Sequence, residues 1–143
     1  MASITTANSV LLLAISGLYT TPQQIQGFTS DDITDFASIS PAEVSMGLDG
    51  RLSAGYVKVA IVQSITLQAD SPSIKLFEAW FAAEQAASDV YFANGILQYP
   101  SISRSYVMTS GVLTGYAPLS DAKKMLQPRK FSITWQSVVG APL

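Results

Sequence analysis

Four acids in the first third of the chain, Asp31, Asp32, Asp35 and Glu43, come closest to a constellation that could do chemistry. Two carboxylates such as Asp35 and Glu43 are in principle enough for glycoside hydrolysis, one serving as acid and the other as base or nucleophile. Asp31, Asp32 and Asp35 could hold a hard cation through oxygen, yet the loop spacing and closing glutamate of an EF-hand are missing. Serines are numerous enough for a Ser–Lys dyad, but none is singled out by its surroundings. Neither GxGxxG nor GxxxxGK[ST] occurs, so no phosphate cradle is indicated. Histidine and cysteine are both absent. Their absence removes the commonest general base and transition-metal ligand, all thiolate metal sites and every disulfide. No enzymatic activity, cofactor or metal is therefore expected.

Basic and aromatic residues interleave over Tyr99–Tyr106 and Arg129–Trp135, a pattern that single-strand nucleic-acid barrels of the OB type use for stacking and charge. The parity of Phe131, Ile133 and Trp135 instead assigns these aromatics to the inner face of a strand. An isoelectric point near 4.8 also argues against tight nucleic-acid binding.

The elements that would position any site follow from patterning. Only 13% of the 143 residues are charged, about half the usual ~25%, while 48% are hydrophobic. Mean hydropathy is +0.30. So little charge suits a surface partly buried against other subunits. The charge is also polarised. Residues 1–50 hold five acids and no base, whereas residues 51–143 hold eight bases and five acids. Lys123, Lys124, Arg129 and Lys130 cluster near the C-terminus, so opposite poles suit head-to-tail contacts between identical copies. The apolar run Val10–Ile15, extended to Leu18, is too short for a membrane span of ~20 residues. With Arg51 the first base, an export signal is not expected either.

Val10–Ser16 reads as a buried strand, with Tyr19–Phe28 returning beside it, and a short strand follows near Glu43–Met46. Ile33 and Phe36 are the expected buried contacts of the acidic stretch between them. The segment Gly47, Leu48, Asp49, Gly50, Arg51, Leu52, Ser53, Ala54, Gly55 carries an Asp-Gly turn signal and is expected to form an extended loop. Val57–Ala69 alternates, with Val57, Val59, Ile61, Ile65 and Leu67 inward and Lys58, Ser64, Thr66 and Gln68 outward. Ser71 and Pro72 mark the start of a helix over about residues 72–88. Its apolar arc holds Leu76, Trp80, Ala83 and Ala87 beside Ile74, Phe77 and Phe81; Glu84 projects into that arc and needs a partner or an edge.

Asn94-Gly95 predicts a type I′ turn between strands Asp89–Ala93 and Ile96–Tyr99. Arg104–Leu119 reads as a long strand whose glycines at 111 and 115 mark bulges or close backbone approach, and Asp121–Leu126 as one helical turn. The last strand turns Phe131, Ile133 and Trp135 inward and Lys130, Ser132, Thr134 and Gln136 outward. A mainly β fold results, a β-sandwich or partly closed barrel with one flanking helix, in one domain over residues 1–143.

The segment from Leu67 to Trp80, LQADSPSIKLFEAW, resembles tail tube proteins of contractile-tailed bacteriophages. Gly47–Gly55, Pro100–Tyr106 and Leu119–Pro128 extend the likeness over most of residues 25–139. The resemblance implies a subunit that forms hexameric rings. Rings stack into a hollow tube for DNA ejection inside a contractile sheath, in a virion assembled in the host cytoplasm. It also implies partners in the sheath, baseplate and tail terminator, with DNA passing the lumen unbound. On this likeness the Gly47–Gly55 loop reaches the adjacent ring. By analogy and parity, Ser64, Thr66, Gln68, Ser132, Thr134 and Gln136 are lumen-lining candidates. Candidates for subunit contacts are Asp31, Asp32, Asp35, Trp80, Glu84, Lys123, Lys124 and Arg129. A tail terminator or baseplate tube subunit, or an OB-like nucleic-acid module, is the alternative.

Overall fold

Alternating apolar residues in four segments build the middle of one large antiparallel sheet. The computed structural model describes residues 8–29, 34–120 and 122–143. Its strands are β1 (Val10–Ile15), β2 (Tyr19–Gln24), β3 (Thr34–Phe36), β4 (Ala42–Met46), β5 (Leu52–Tyr56), β6 (Ile61–Leu67), β7 (Ala93–Tyr99), β8 (Arg104–Tyr116) and β9 (Arg129–Pro142). Among the described residues one α-helix, α1, spans Ile74–Ala87. Seven strands form a sheet in the order β2-β1-β7-β8-β9-β6-β3, while β4 and β5 pair separately. The large sheet does not close. The expected mainly β fold with one flanking helix is therefore borne out.

One face of the sheet carries the core. Leu11, Leu13 and Ile15 of β1, Leu97 of β7, Met108 of β8, Phe131, Ile133 and Trp135 of β9, and Ile65 and Leu67 of β6 are all buried. Helix α1 lies on this face through Ile74, Leu76, Phe77 and Trp80. Phe77 stacks on Phe131, and Phe81 on Tyr116 with ring centroids 4.3 Å apart. The helix begins at Ile74 and not at Pro72. Ser71 lies two residues before the N-cap Ser73 and not at the cap: its Oγ accepts the Ser73 N–H at 3.2 Å and donates to the Gln26 carbonyl at 2.5 Å. Ser73 Oγ in turn accepts the Gln26 N–H at 2.7 Å, so the two serines tie the helix start to the segment leaving β2.

Three local expectations are corrected. Asn94-Gly95 is not a turn but lies inside β7, with Ala14 opposite Asn94 and Leu13 opposite Gly95. A side chain at Gly95 would come within 2.9 Å of Leu13 Cδ2 and 3.0 Å of Met108 Cε, so crowding, and not a reversal, explains that glycine. Residues 122–126 form bends closed by an isolated Ala122–Leu126 bridge in place of a helical turn; Asp121 lies outside the described residues. The strand read over Val57–Ala69 is shorter, since β6 starts at Ile61 and Val59 is exposed.

Candidate assembly surfaces

The Gly47–Gly55 segment divides between a turn and a strand. Gly47 N–H donates to the Arg51 carbonyl at 2.8 Å, and Gly50 N–H to the Gly47 carbonyl at 3.0 Å. Asp49 Oδ1 accepts the Arg51 N–H at 3.0 Å. Gly50 adopts a φ of 83°, a left-handed conformation that side chains disfavour. Leu52, Ser53, Ala54 and Gly55 belong to β5, so the extended feature is the whole β4–β5 hairpin and not a loop. Every residue from Ala37 to Tyr56 is exposed.

The bare face of the sheet, opposite the helix, has two halves. Ser64 and Thr66 alternate with buried Gln63, Ile65 and Leu67, and Ser132 and Thr134 with buried Phe131, Ile133 and Trp135. These four hydroxyl residues therefore share the bare face, with Ser64 paired to Ser132 and Thr66 to Lys130. Thr134 Oγ1 lies 2.9 Å from Thr114 Oγ1, so neighbouring hydroxyls satisfy one another. Asp35, opposite Ser64, is exposed at the same edge. Gln68 lies one residue past β6, and Gln136 is exposed on β9. The other half is apolar: Leu12, Ile96, Val107 and Val139 are successive cross-strand partners over β1, β7, β8 and β9.

Two contact candidates turn out to be internal. Trp80 is fully buried, and its indole N–H donates to the Tyr91 carbonyl at 3.1 Å. Arg129 is 6% exposed; it pairs with Glu78 at 2.7 Å, donates to the carbonyls of Ala117 and Pro118, and lies over the rings of Tyr116 and Phe131. A charge at odd parity beside Phe131 points into the core, so cluster membership misplaced it. Lys123 and Lys124 are exposed as expected, while Asp31 and Asp32, like Ile33, lie outside the described residues. Glu84 is half-buried, and its Oε1 is buried without a hydrogen-bond partner. Burial raises its carboxyl pKa above the ordinary 4.5, opposed by the Tyr91 backbone and the Trp80 indole.

Sequence parity overlooked one buried polar residue. Gln63 is fully buried, accepts the Trp135 indole N–H at 2.9 Å and donates to Thr34 Oγ1 at 2.8 Å. Its signal was available: it occupies an inward position between Ile61 and Ile65. Asp35 and Glu43 lie in different sheets, on β3 and β4. Among the described residues no group of three or more acids could hold a metal ion. Among them too, no helix is long and apolar enough to cross a membrane.

A sequence model of the family described as tail fiber protein gp32 matches residues 2–139. No curated protein matches the sequence. Among solved structures, a chain of the PVC sheath-tube complex, an extracellular contractile injection system in its extended state, superposes with a TM-score of 0.64 at 8% identity. That match covers 93% of this chain and 88% of the other. A chain of the anti-feeding prophage tube-terminating cap gives 0.62 at 9% identity, covering 100% and 93%. A chain of the anti-feeding prophage baseplate gives 0.54 at 12%, covering 99% and 98%. At such identities the likeness concerns the fold, and that fold is tail-tube-like, as the resemblance around Leu67–Trp80 implied.

Proposed function

From the premise that this chain belongs to the tail fiber protein gp32 family, we propose that it is a non-enzymatic structural subunit of a contractile tail tube. Subunits form hexameric rings that stack into a hollow conduit for DNA ejection. The observation that carries this reading is the β4–β5 hairpin, which pairs only with itself and is exposed throughout. A lone two-stranded hairpin is marginal in water, so one that is built into a chain needs a surface to lie on. Contacts of this kind are head-to-tail, and head-to-tail contacts repeat without limit when rims match.

The hydroxyl half of the bare sheet face supports the lumen role. Ser64, Thr66, Ser132 and Thr134 offer small groups, Thr134 with its hydroxyl bonded to that of Thr114, and a wall of that kind gives passing DNA little to hold. The acidic and basic halves of the sequence would set polarity along the stack. The particle, with its sheath, baseplate and terminator, is then the working location. The family description names a fiber, whereas the fold is shared with a chain of a sheath-tube complex, which favours the tube. The second reading is a single ring at a tube end, as terminator or baseplate subunit, because chains of this fold also occur in the anti-feeding prophage cap and baseplate.

Replacing the hairpin tip, Gly47–Arg51, with a two-residue turn tests the axial role. Rings should persist while sedimentation at modest salt shows stacks reduced to short oligomers. Long stacks of unchanged stability would remove the tip from the axial contact.

A further inference from the structure

We propose that Asp49-Gly50 is a site of spontaneous backbone modification, where the chain converts to an isoaspartyl linkage, and that the fold shuts off the same chemistry at Asn94-Gly95. This chemistry belongs to the single chain and is independent of the tube reading. The sequence holds two acid- or amide-glycine pairs, Asp49-Gly50 and Asn94-Gly95. Such pairs cyclise readily, because glycine carries no Cβ to hinder attack by its own nitrogen. By side-chain chemistry alone the asparagine should react first, since a neutral amide is attacked more readily than a carboxylate. The fold reverses that order.

At the hairpin tip the carboxyl is already turned onto its own backbone. Asp49 Oδ1 accepts the Arg51 N–H at 3.0 Å, and the ring closed by that bond contains the Gly50 nitrogen. Gly50 sits at a φ of 83°, and a Cβ built there would meet nothing within 4 Å, so the surroundings leave room for a new ring. One obstacle remains, the bond from the Gly50 N–H to the Gly47 carbonyl at 3.0 Å. It belongs to an exposed turn, and exposed turns open at little cost.

Asn94-Gly95 has the opposite setting. It lies inside β7 with β1 on one side and β8 on the other, and Gly95 is buried against Leu13 and Met108. Asn94 Oδ1 accepts the Ser110 N–H at 3.2 Å, which holds the amide across toward β8. Ring closure would bring Asn94 Cβ into line with the Gly95 nitrogen, a backbone setting far from an extended strand. Reaching it means parting β7 from its neighbours in the middle of the large sheet.

The step balances without a co-reactant. The Gly50 nitrogen bonds to Asp49 Cγ, a Cγ–O bond breaks, and the hydroxyl leaves with the amide hydrogen as water. A second water opens the resulting succinimide at the main-chain carbonyl of Asp49. The chain then runs through Cβ, with a free carboxylate on Cα. Mass is unchanged, the tip is one methylene longer, and the acceptor of the Arg51 N–H is displaced.

The test uses the 143-residue chain, dilute and shown by sedimentation to be unassembled, incubated at neutral pH and sampled over time. Isoaspartate is read by methyl transfer from labelled S-adenosylmethionine with an isoaspartyl methyltransferase, and located by electron-transfer fragmentation. Label should accumulate at position 49, with no gain of mass at Asn94. Asp49→Asn then places the same dipeptide in both settings within one chain. Ammonia loss at position 49 should lead that at position 94 by about tenfold or more in the folded variant, and the two rates should converge in denaturant. The native-chain result stands whether or not that variant folds. No label at position 49 overturns the proposal, and so does position 94 keeping pace with it in the folded chain.

Discussion

The ring of Phe77 lies flat on the ring of Phe131, with centroids 4.4 Å apart and planes 7° from parallel. This contact joins the helix to the central strand β9, and Trp80 extends it with a centroid 6.3 Å from Phe77. Phe77→Ala should cost about 3–5 kcal/mol, because both rings are fully buried and the site cannot collapse freely. Denaturant unfolding measures this directly. With Phe131→Ala added, the loss should fall short of the sum of the two single losses, since they share one contact.

Gly111 sets how closely β8 approaches β9. A Cβ at that position would stand 2.5 Å from the Trp135 ring, which is fully buried and held by the Gln63 hydrogen bond. Gly111→Ala should therefore destabilise by about 1–3 kcal/mol, the usual range for overpacking. Near-ultraviolet circular dichroism should show a changed Trp135 environment at the same time. An unchanged midpoint and spectrum would mean the ring can move aside.

Glu84 gives a pH-dependent prediction of definite sign. Its folded pKa is raised, with burial the main cause, so the folded state favours the neutral acid. The stability linked to this group is fully present below its unfolded pKa near 4.5 and is lost as pH rises through the folded value. Glu84→Gln should consequently raise the thermal midpoint at pH 7 by about 1–2 °C, a modest figure because the group is partly solvated. The gain should vanish below pH 4. A loss of stability at pH 7 would show that the carboxylate has a stabilising partner in the folded chain.

Period-2 alternation made β6 and β9 legible, and a half-circumference apolar arc made α1 legible, because both report directly on burial. Bulges in β8 near Gly111 and Gly115 were likewise foreseeable from glycine in a strand. Asn94-Gly95 misled because the dipeptide signals a turn only when the chain has room to reverse; here Leu13 and Met108 close on Gly95 from both sides. Arg129 misled because three nearby surface bases suggested a fourth, while its parity with Phe131 and its pairing with Glu78 place it inside. The hairpin was half legible. Its turn was marked by Asp49-Gly50, but the apolar face appears only once register pairs Val44 with Ala54 and Met46 with Leu52.

The most direct measurement is negative-stain electron microscopy of the purified protein at modest salt. A tube subunit gives six-fold rings and stacked hollow tubes. Monomers at high protein concentration, or fibres without a lumen, would contradict it.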